Sequence, residues 1–176
     1  MKYILLSLLF YFKYINAFSI SLPGFNKGII SNIDIKKLTN NDKKDLKTIF
    51  SKVPLLVFKN QNINPQEFYD FCKIFDNNYN NDTLHSFPII FNKTPQVGLR
   101  TNIKGDIDLY NIKIKDYNDQ FSQDIFYSVT KTWHQDIVGK SNILPSVISA
   151  IYSPITPINN KAFTQFANLQ DAYDKI

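Results

Sequence analysis

The chain has one cysteine, one tryptophan and two histidines in 176 residues. The single cysteine, Cys72, excludes an intrachain disulfide and a zinc site built on several thiolates. It falls among Phe68, Phe71 and Phe75, a setting in which a thiol packs as a small apolar group. The apolar run near the N-terminus, Tyr3 to Phe12, is too short for a comfortable transmembrane span. Concentrated charge of one sign is also lacking. The formal net charge is +5, but the lysines are spread along the chain and their longest cluster is Lys43, Lys44 and Lys47. A nucleic-acid binder gathers its basic residues on one face or stripe. These lysines read as a solvated surface, and no nucleic-acid partner is expected.

What is present suits a folded domain. Apolar residues make up 44% and charged residues 20%, the balance of an ordinary soluble globular protein. The length is enough for one domain with a core, and 15 Phe and 10 Tyr supply large side chains to fill it. The abundance of Asn, Lys and Ile reads as a compositional bias.

Lys2, the apolar run, Lys13 and Ala17 occur in the order of a short secretory signal peptide, so residues 1–17 read as a signal peptide or another targeting leader. Ile15 is bulkier than the residue usual two positions before a cleavage-site alanine. A buried N-terminal strand or a misplaced start codon are the competing readings. A real leader implies the secretory pathway or an organelle; otherwise the chain is cytoplasmic. Two sequons, Asn81-Asp82-Thr83 and Asn92-Lys93-Thr94, become glycosylation candidates on the secretory route.

Hydrophobic periodicity gives the elements. Gly28-Ile29-Ile30 and Ile33-Asp34-Ile35 are β-prone. Residues 39–51 predict a helix capped by Thr39, Asn40 or Asn41, with an apolar stripe of Leu46, Ile49 and Phe50, closed by Pro54. Leu55 to Phe58 predicts a buried strand. Asn64-Pro65-Gln66-Glu67 predicts a helix start, with Asn64 as cap, Pro65 in the first position and Glu67 as the capping-box acid. Phe68, Phe71, Cys72 and Phe75 then line one face. Residues 76–83 read as a loop. Further strands are expected at Ile89 to Phe91, Leu109 to Ile114, Val147 to Tyr152 and Phe163 to Phe166, and a helix begins at Leu169. The expected class is mixed α/β, mainly β.

The chemistry centres on Trp133-His134-Gln135-Asp136. On a strand, residues i and i+2 point to one face, so His134 and Asp136 project together. An imidazole and a carboxylate side by side are two ligands of a 2-His-1-carboxylate triad, the arrangement that favours non-haem Fe(II) with open coordination positions.

The flanks extend this pattern. Trp133-His134-Gln135-Asp136 is followed by Pro145, the expected strand Val147 to Tyr152, and then Thr164, Phe166, Ala167, Asn168, Ala172, Tyr173 and Asp174. Upstream stand Leu56-Val57-Phe58-Lys59-Asn60-Gln61, then Pro65, Glu67 and Phe75. In this order the blocks resemble the taurine dioxygenase-like (TauD/TfdA) family of Fe(II)/2-oxoglutarate-dependent dioxygenases, from about residue 45 onward. Departures are Lys161-Ala162-Phe163 in place of the family's G-G-D, and Phe75-Asp76 in place of its F-G.

The resemblance implies a double-stranded β-helix (jelly roll) with flanking helices, with residues 18–176 as its N-terminal part, incomplete at the C-terminus. It implies Fe(II) held by His134 and Asp136, 2-oxoglutarate contacted by the Thr164 hydroxyl, and O2 and a small organic molecule as further substrates. His85 lies where some members place a substrate-contacting histidine; a solvent-facing loop histidine is the other reading. Trp133, Lys59 and Gln61 are expected to be structural. The family's distal iron-binding histidine and 2-oxoglutarate-clamping arginine fall beyond residue 176. The implied reaction hydroxylates the substrate with release of succinate and CO2. The alternative is a catalytically inactive jelly-roll binding protein that lacks the third iron ligand.

Overall fold

The computed structural model describes residues 19–21, 27–76, 91–99, 105–117, 148–154, 166–168 and 173–176. The fold is mixed α/β with few helices and small sheets. The chain divides into two compact units, residues 1–62 with 153–176, and residues 63–152.

The first unit holds a three-stranded sheet in the order β1-β2-β3, formed by Ser19–Ser21, Lys27–Ser31 and Leu55–Phe58. β1 runs antiparallel to β2, whereas β2 and β3 are parallel, with Gly28 opposite Leu56 and Ile30 opposite Phe58. A parallel pair needs a long crossover. Here the crossover is a 3-10 turn, Ile35–Lys37, followed by helix α1, Asn40–Phe50.

Thr39 is the α1 cap. Its hydroxyl accepts from the Asp42 amide at 3.2 Å, while the Asp42 carboxylate accepts from the Thr39 amide at 2.8 Å and from the Thr39 hydroxyl at 2.7 Å. This reciprocal box satisfies orphan donors at the helix start, and it explains how a charged residue, Asp42, comes to be buried. Asp42, Leu46 and Ile49 are the buried residues of α1, spaced along one helical face. Phe50, expected on that stripe, is only half-buried. Ile30 and Leu46 are fully buried.

Two expectations are corrected in this unit. Ile33-Asp34-Ile35 is not strand. Asn32 takes the left-handed conformation at φ 62°, which turns the chain out of β2, and the Asp34 carboxylate then accepts from the Lys36 amide at 3.1 Å to start the 3-10 turn. β3 is a strand as expected but is not fully buried, and Val57 is exposed. Among the described strands β3 pairs with β2 alone, so it lies at an edge of this sheet.

The second unit contains helix α2, Pro65–Cys72, and a hairpin of β4, Gly105–Leu109, and β5, Ile112–Tyr117. α2 starts as its sequence predicts. The Asn64 side chain accepts from the Glu67 amide at 2.9 Å, the Glu67 carboxylate accepts from the Asn64 amide at 2.8 Å, and Pro65 stands in the first turn. The helix ends at Cys72, one turn before the last aromatic of its expected apolar face. Phe75 lies in the turn beyond, edge-to-face with Phe71 at 5.5 Å.

The strand expected over Leu109 to Ile114 is instead the two ends of a hairpin. Tyr110 and Asn111 both have positive φ, 55° and 60°, the geometry of a tight two-residue turn between antiparallel strands. Leu109 pairs with Ile112 and Ile107 with Ile114, with an irregularity between Gly105 and Ile107. At that bulge Gly105 has φ 82° and meets no atom where a Cβ would stand, and the Asp116 amide donates to the Asp106 carboxylate at 2.9 Å. Ile63, Phe91, Ile107 and Thr94 are buried in this unit.

The expected strand Val147 to Tyr152 is not formed over its described residues. None of the five described strands pairs with residues 148–152, and Ile151 is 85% exposed. Phe91, the described end of another expected strand, is a buried turn residue whose carbonyl accepts from the Thr94 amide at 2.8 Å. Phe166 lies outside any strand and is exposed, and Tyr173 to Ile176 make a single turn. The rest of the strand expected at Phe163 to Phe166 and most of the helix expected from Leu169 lie outside the described residues, as does the leader, 1–17. Among the described residues no helix is long and apolar enough to cross a membrane.

Candidate functional site

All four predicted site residues, His85, His134, Asp136 and Thr164, lie outside the described residues, together with Trp133. Among the described residues no group of three or more His, Cys, Asp or Glu side chains is placed to hold a metal ion. The sequence blocks alone carry the iron-site reading. The structure describes the upstream block and, of the downstream block, residues 166–168 and 173–174.

The upstream block supplies β3 and the segment leaving it. The Lys59 amide donates to the Ile30 carbonyl at 3.1 Å and so prolongs the β2–β3 ladder. Asn60 turns the chain at φ 56°. Gln61 then folds back. Its amide nitrogen donates to the carbonyls of Ile33 at 2.8 Å and Lys59 at 2.6 Å, and its oxygen accepts from the Ile35 amide at 3.1 Å. One side chain thus ties the exit of β3 to the entry of the crossover. Gln61 is structural, as its sequence context suggested.

The second part of that block, Pro65 to Phe75, is α2 and its C-terminal turn. Gln66 accepts from the Thr94 hydroxyl at 2.9 Å and donates to Asp70 at 3.1 Å. Asp70 in turn meets Lys73 at 2.6 Å, and the ammonium stands 4.6 Å from the centre of the Tyr69 ring. The hydrogen bond from Lys73 holds the Asp70 carboxyl below its usual range. Burial pushes the Cys72 thiol up to about 11, so the side chain is a protonated, apolar filler rather than a nucleophile at neutral pH.

Sequence reasoning missed two polar features of this unit. In the sequence Thr94 stands out only as part of a sequon; in the fold it is buried, with its hydroxyl committed to Gln66. The periodicity of Leu109 to Ile114 places Tyr110 inside a strand. In the fold it forms the hairpin turn, packs edge-on near Phe91 at 6.3 Å and hydrogen-bonds Tyr152. Tyr152 also lies 6.2 Å from Phe68 on α2. Burial first, and Tyr152 second, raise the Tyr110 phenol above its ordinary range. No sequence signal links residues so far apart in the chain.

In the downstream block, Phe166 and Ala167 are exposed and Asn168 is half-buried. No family model, no curated protein and no solved structure matches this chain.

Proposed function

We propose that the chain is the N-terminal portion of an Fe(II)/2-oxoglutarate-dependent dioxygenase of the taurine dioxygenase type, built on a double-stranded β-helix with flanking helices. The observation that carries this reading is the order of three sequence blocks: Leu56 to Gln61 with Pro65, Glu67 and Phe75; Trp133 to Asp136; and Thr164 to Asp174. The mixed α/β fold, with the first block forming a strand followed by a capped helix, is compatible with it.

The donor set suits the metal. An imidazole and a carboxylate at alternate strand positions are two ligands of the facial arrangement preferred by non-haem Fe(II). In this reading His134 and Asp136 hold the ion, and the Thr164 hydroxyl donates to a carboxylate of 2-oxoglutarate. His85 contacts the organic substrate. When bound, Fe(II) with 2-oxoglutarate and O2 supplies oxidative decarboxylation to succinate and CO2, coupled to hydroxylation of a substrate C–H bond. The family resemblance implies that the third metal ligand, a distal histidine, and the arginine that clamps 2-oxoglutarate fall beyond residue 176.

The test is anaerobic titration of the full chain with Fe(II). One equivalent should bind weakly, and His134→Ala or Asp136→Ala should each weaken binding by at least tenfold. Unchanged binding in both variants would sink the assignment. The chain alone should not turn over 2-oxoglutarate, and succinate formation by it would contradict the incomplete-site reading. Reading the transcript beyond codon 176 separates enzyme from inactive binding protein. An in-frame histidine followed by an arginine favours the enzyme; a stop codon favours the binding protein.

A further inference from the structure

The iron-site reading leaves the sequon Asn92-Lys93-Thr94 unused. This sequon lies within the described residues; its counterpart Asn81-Asp82-Thr83 does not. The fold treats its two ends in opposite ways. Asn92 and Lys93 form an exposed turn. The Phe91 carbonyl accepts from the Thr94 amide at 2.8 Å, and the Thr94 carbonyl accepts from the Val97 amide at 3.1 Å, so the segment is wound into successive turns. Thr94 itself is only 3% exposed. Its hydroxyl donates at 2.9 Å to the side-chain oxygen of Gln66 on α2, 28 residues earlier in the chain. Phe91, buried as well, anchors the start of the turn.

An oligosaccharyltransferase reads both ends of such a motif. The asparagine receives the sugar, and only serine or threonine serves two residues later, so the hydroxyl is a recognised group. Here the acceptor asparagine is accessible and the recognised hydroxyl is sealed. Presenting that hydroxyl requires the Gln66–Thr94 bond to break and the turn to unwind, which is a local opening of the fold. A glycan already attached to Asn92, by contrast, sits on the exposed turn and leaves Phe91 and Thr94 free to be buried.

We propose that Asn92 accepts an N-linked oligosaccharide, and that it does so only before α2 and residues 91–97 have folded together. In the transfer, the Asn92 side-chain nitrogen bonds to the anomeric carbon of a lipid-diphosphate-linked oligosaccharide. The bond from that carbon to the diphosphate oxygen breaks, the lipid diphosphate leaves with the electron pair, and the amide gives one proton to a base of the transferase. Gln66 is the latch that closes the window: once its oxygen holds the Thr94 hydroxyl, the sequon is no longer a substrate.

The experiment uses the full chain, a purified eukaryotic oligosaccharyltransferase and a lipid-diphosphate-linked oligosaccharide. One sample is native, and the other is diluted from urea straight into the reaction. Mass spectrometry of the peptide carrying Asn92 reads the modification. The diluted chain should be modified, and the native chain roughly tenfold or more slowly, because only its opened fraction reacts. Gln66→Leu leaves the Thr94 hydroxyl without its acceptor, so modification of the native chain should rise about fivefold or more. Gln66→Glu keeps an acceptor and should stay protected. Gln61→Leu loosens the other unit and should also leave Asn92 protected, which separates the latch from general loss of stability. Circular dichroism shows whether each variant is folded; if Gln66→Leu is not, the comparison of native and diluted chain decides alone. Equal rates in the native and diluted chains, no transfer to Asn92 in the diluted chain, or an unchanged native rate in folded Gln66→Leu each overturns the proposal.

Discussion

Replacing Gln61 by Leu leaves the Ile33 and Lys59 carbonyls and the Ile35 amide without the bonds they make to that side chain. A partly buried polar group that loses its partner costs about 1–3 kcal/mol, so Gln61→Leu should lower stability by about that much. The change should be sharpest in hydrogen exchange of the Ile35 amide. At Cys72 the consequence is a pH dependence. The thiol is raised from 9.0 to about 11 by burial, so the folded state holds the proton more tightly than the unfolded chain. Its contribution to stability is intact below pH 9 and is lost as the pH rises from about 9 to about 11, about 3 kcal/mol in all at about 1.4 kcal/mol per unit. Urea unfolding of the unaltered protein and of Cys72→Ala across this range should diverge accordingly. The Cys72 assignment was legible from its aromatic neighbours. The Gln61 clamp was not, because its partners lie 26 and 28 residues away.

The start of α2 was legible from sequence because a capping box is a local device, complete within four residues; at α1 the sequence left Thr39, Asn40 and Asn41 as equal caps, and the fold selects Thr39 through its box with Asp42. Thr39→Ala and Asn64→Ala should each destabilise by about 1 kcal/mol, visible as a lower denaturant midpoint. The hairpin was not legible. Its turn, Tyr110-Asn111, lacks the glycine that usually marks such turns, and Leu109, Ile112 and Ile114 keep an apolar rhythm across it. Asn111→Gly should stabilise the hairpin by up to about 1 kcal/mol, since a glycine adopts positive φ without penalty. Tyr110→Gly removes the same backbone strain but also the contacts with Phe91 and Tyr152. Its net effect should be destabilising, and comparison of the two melting temperatures checks the sign. Asparagine, read from sequence as a compositional bias, has a structural use here: Asn32, Asn60 and Asn111 all occupy left-handed positions.

At the scale of the molecule, the mixed α/β class and the first unit's strand–helix–strand pattern could be read from periodicity. The parallel register of β2 and β3 could not, because pairing partners separated by a crossover leave no local trace. The strand expected over Val147 to Tyr152 shows the converse limit. An apolar run is a strand only where a neighbour accepts its ladder, and the described strands offer it none. The iron-site reading stays with the residues that carried it, His134 and Asp136, and the metal titration decides it. The β2–β3 pairing also has a consequence for the order of folding. Its two strands are joined through residues 32–54, and closing that loop is entropically unfavourable until the segment shortens. Helix α1 provides the shortening, at 1.5 Å per residue in place of more than 3 Å. The ladder is thus expected to zip only after α1 has formed. Weakening the Thr39 cap should then slow refolding more than it speeds unfolding, the signature of a residue already structured in the transition state. Stopped-flow refolding of Thr39→Ala, with pulse-labelled exchange of the Lys59 amide, reads that order directly.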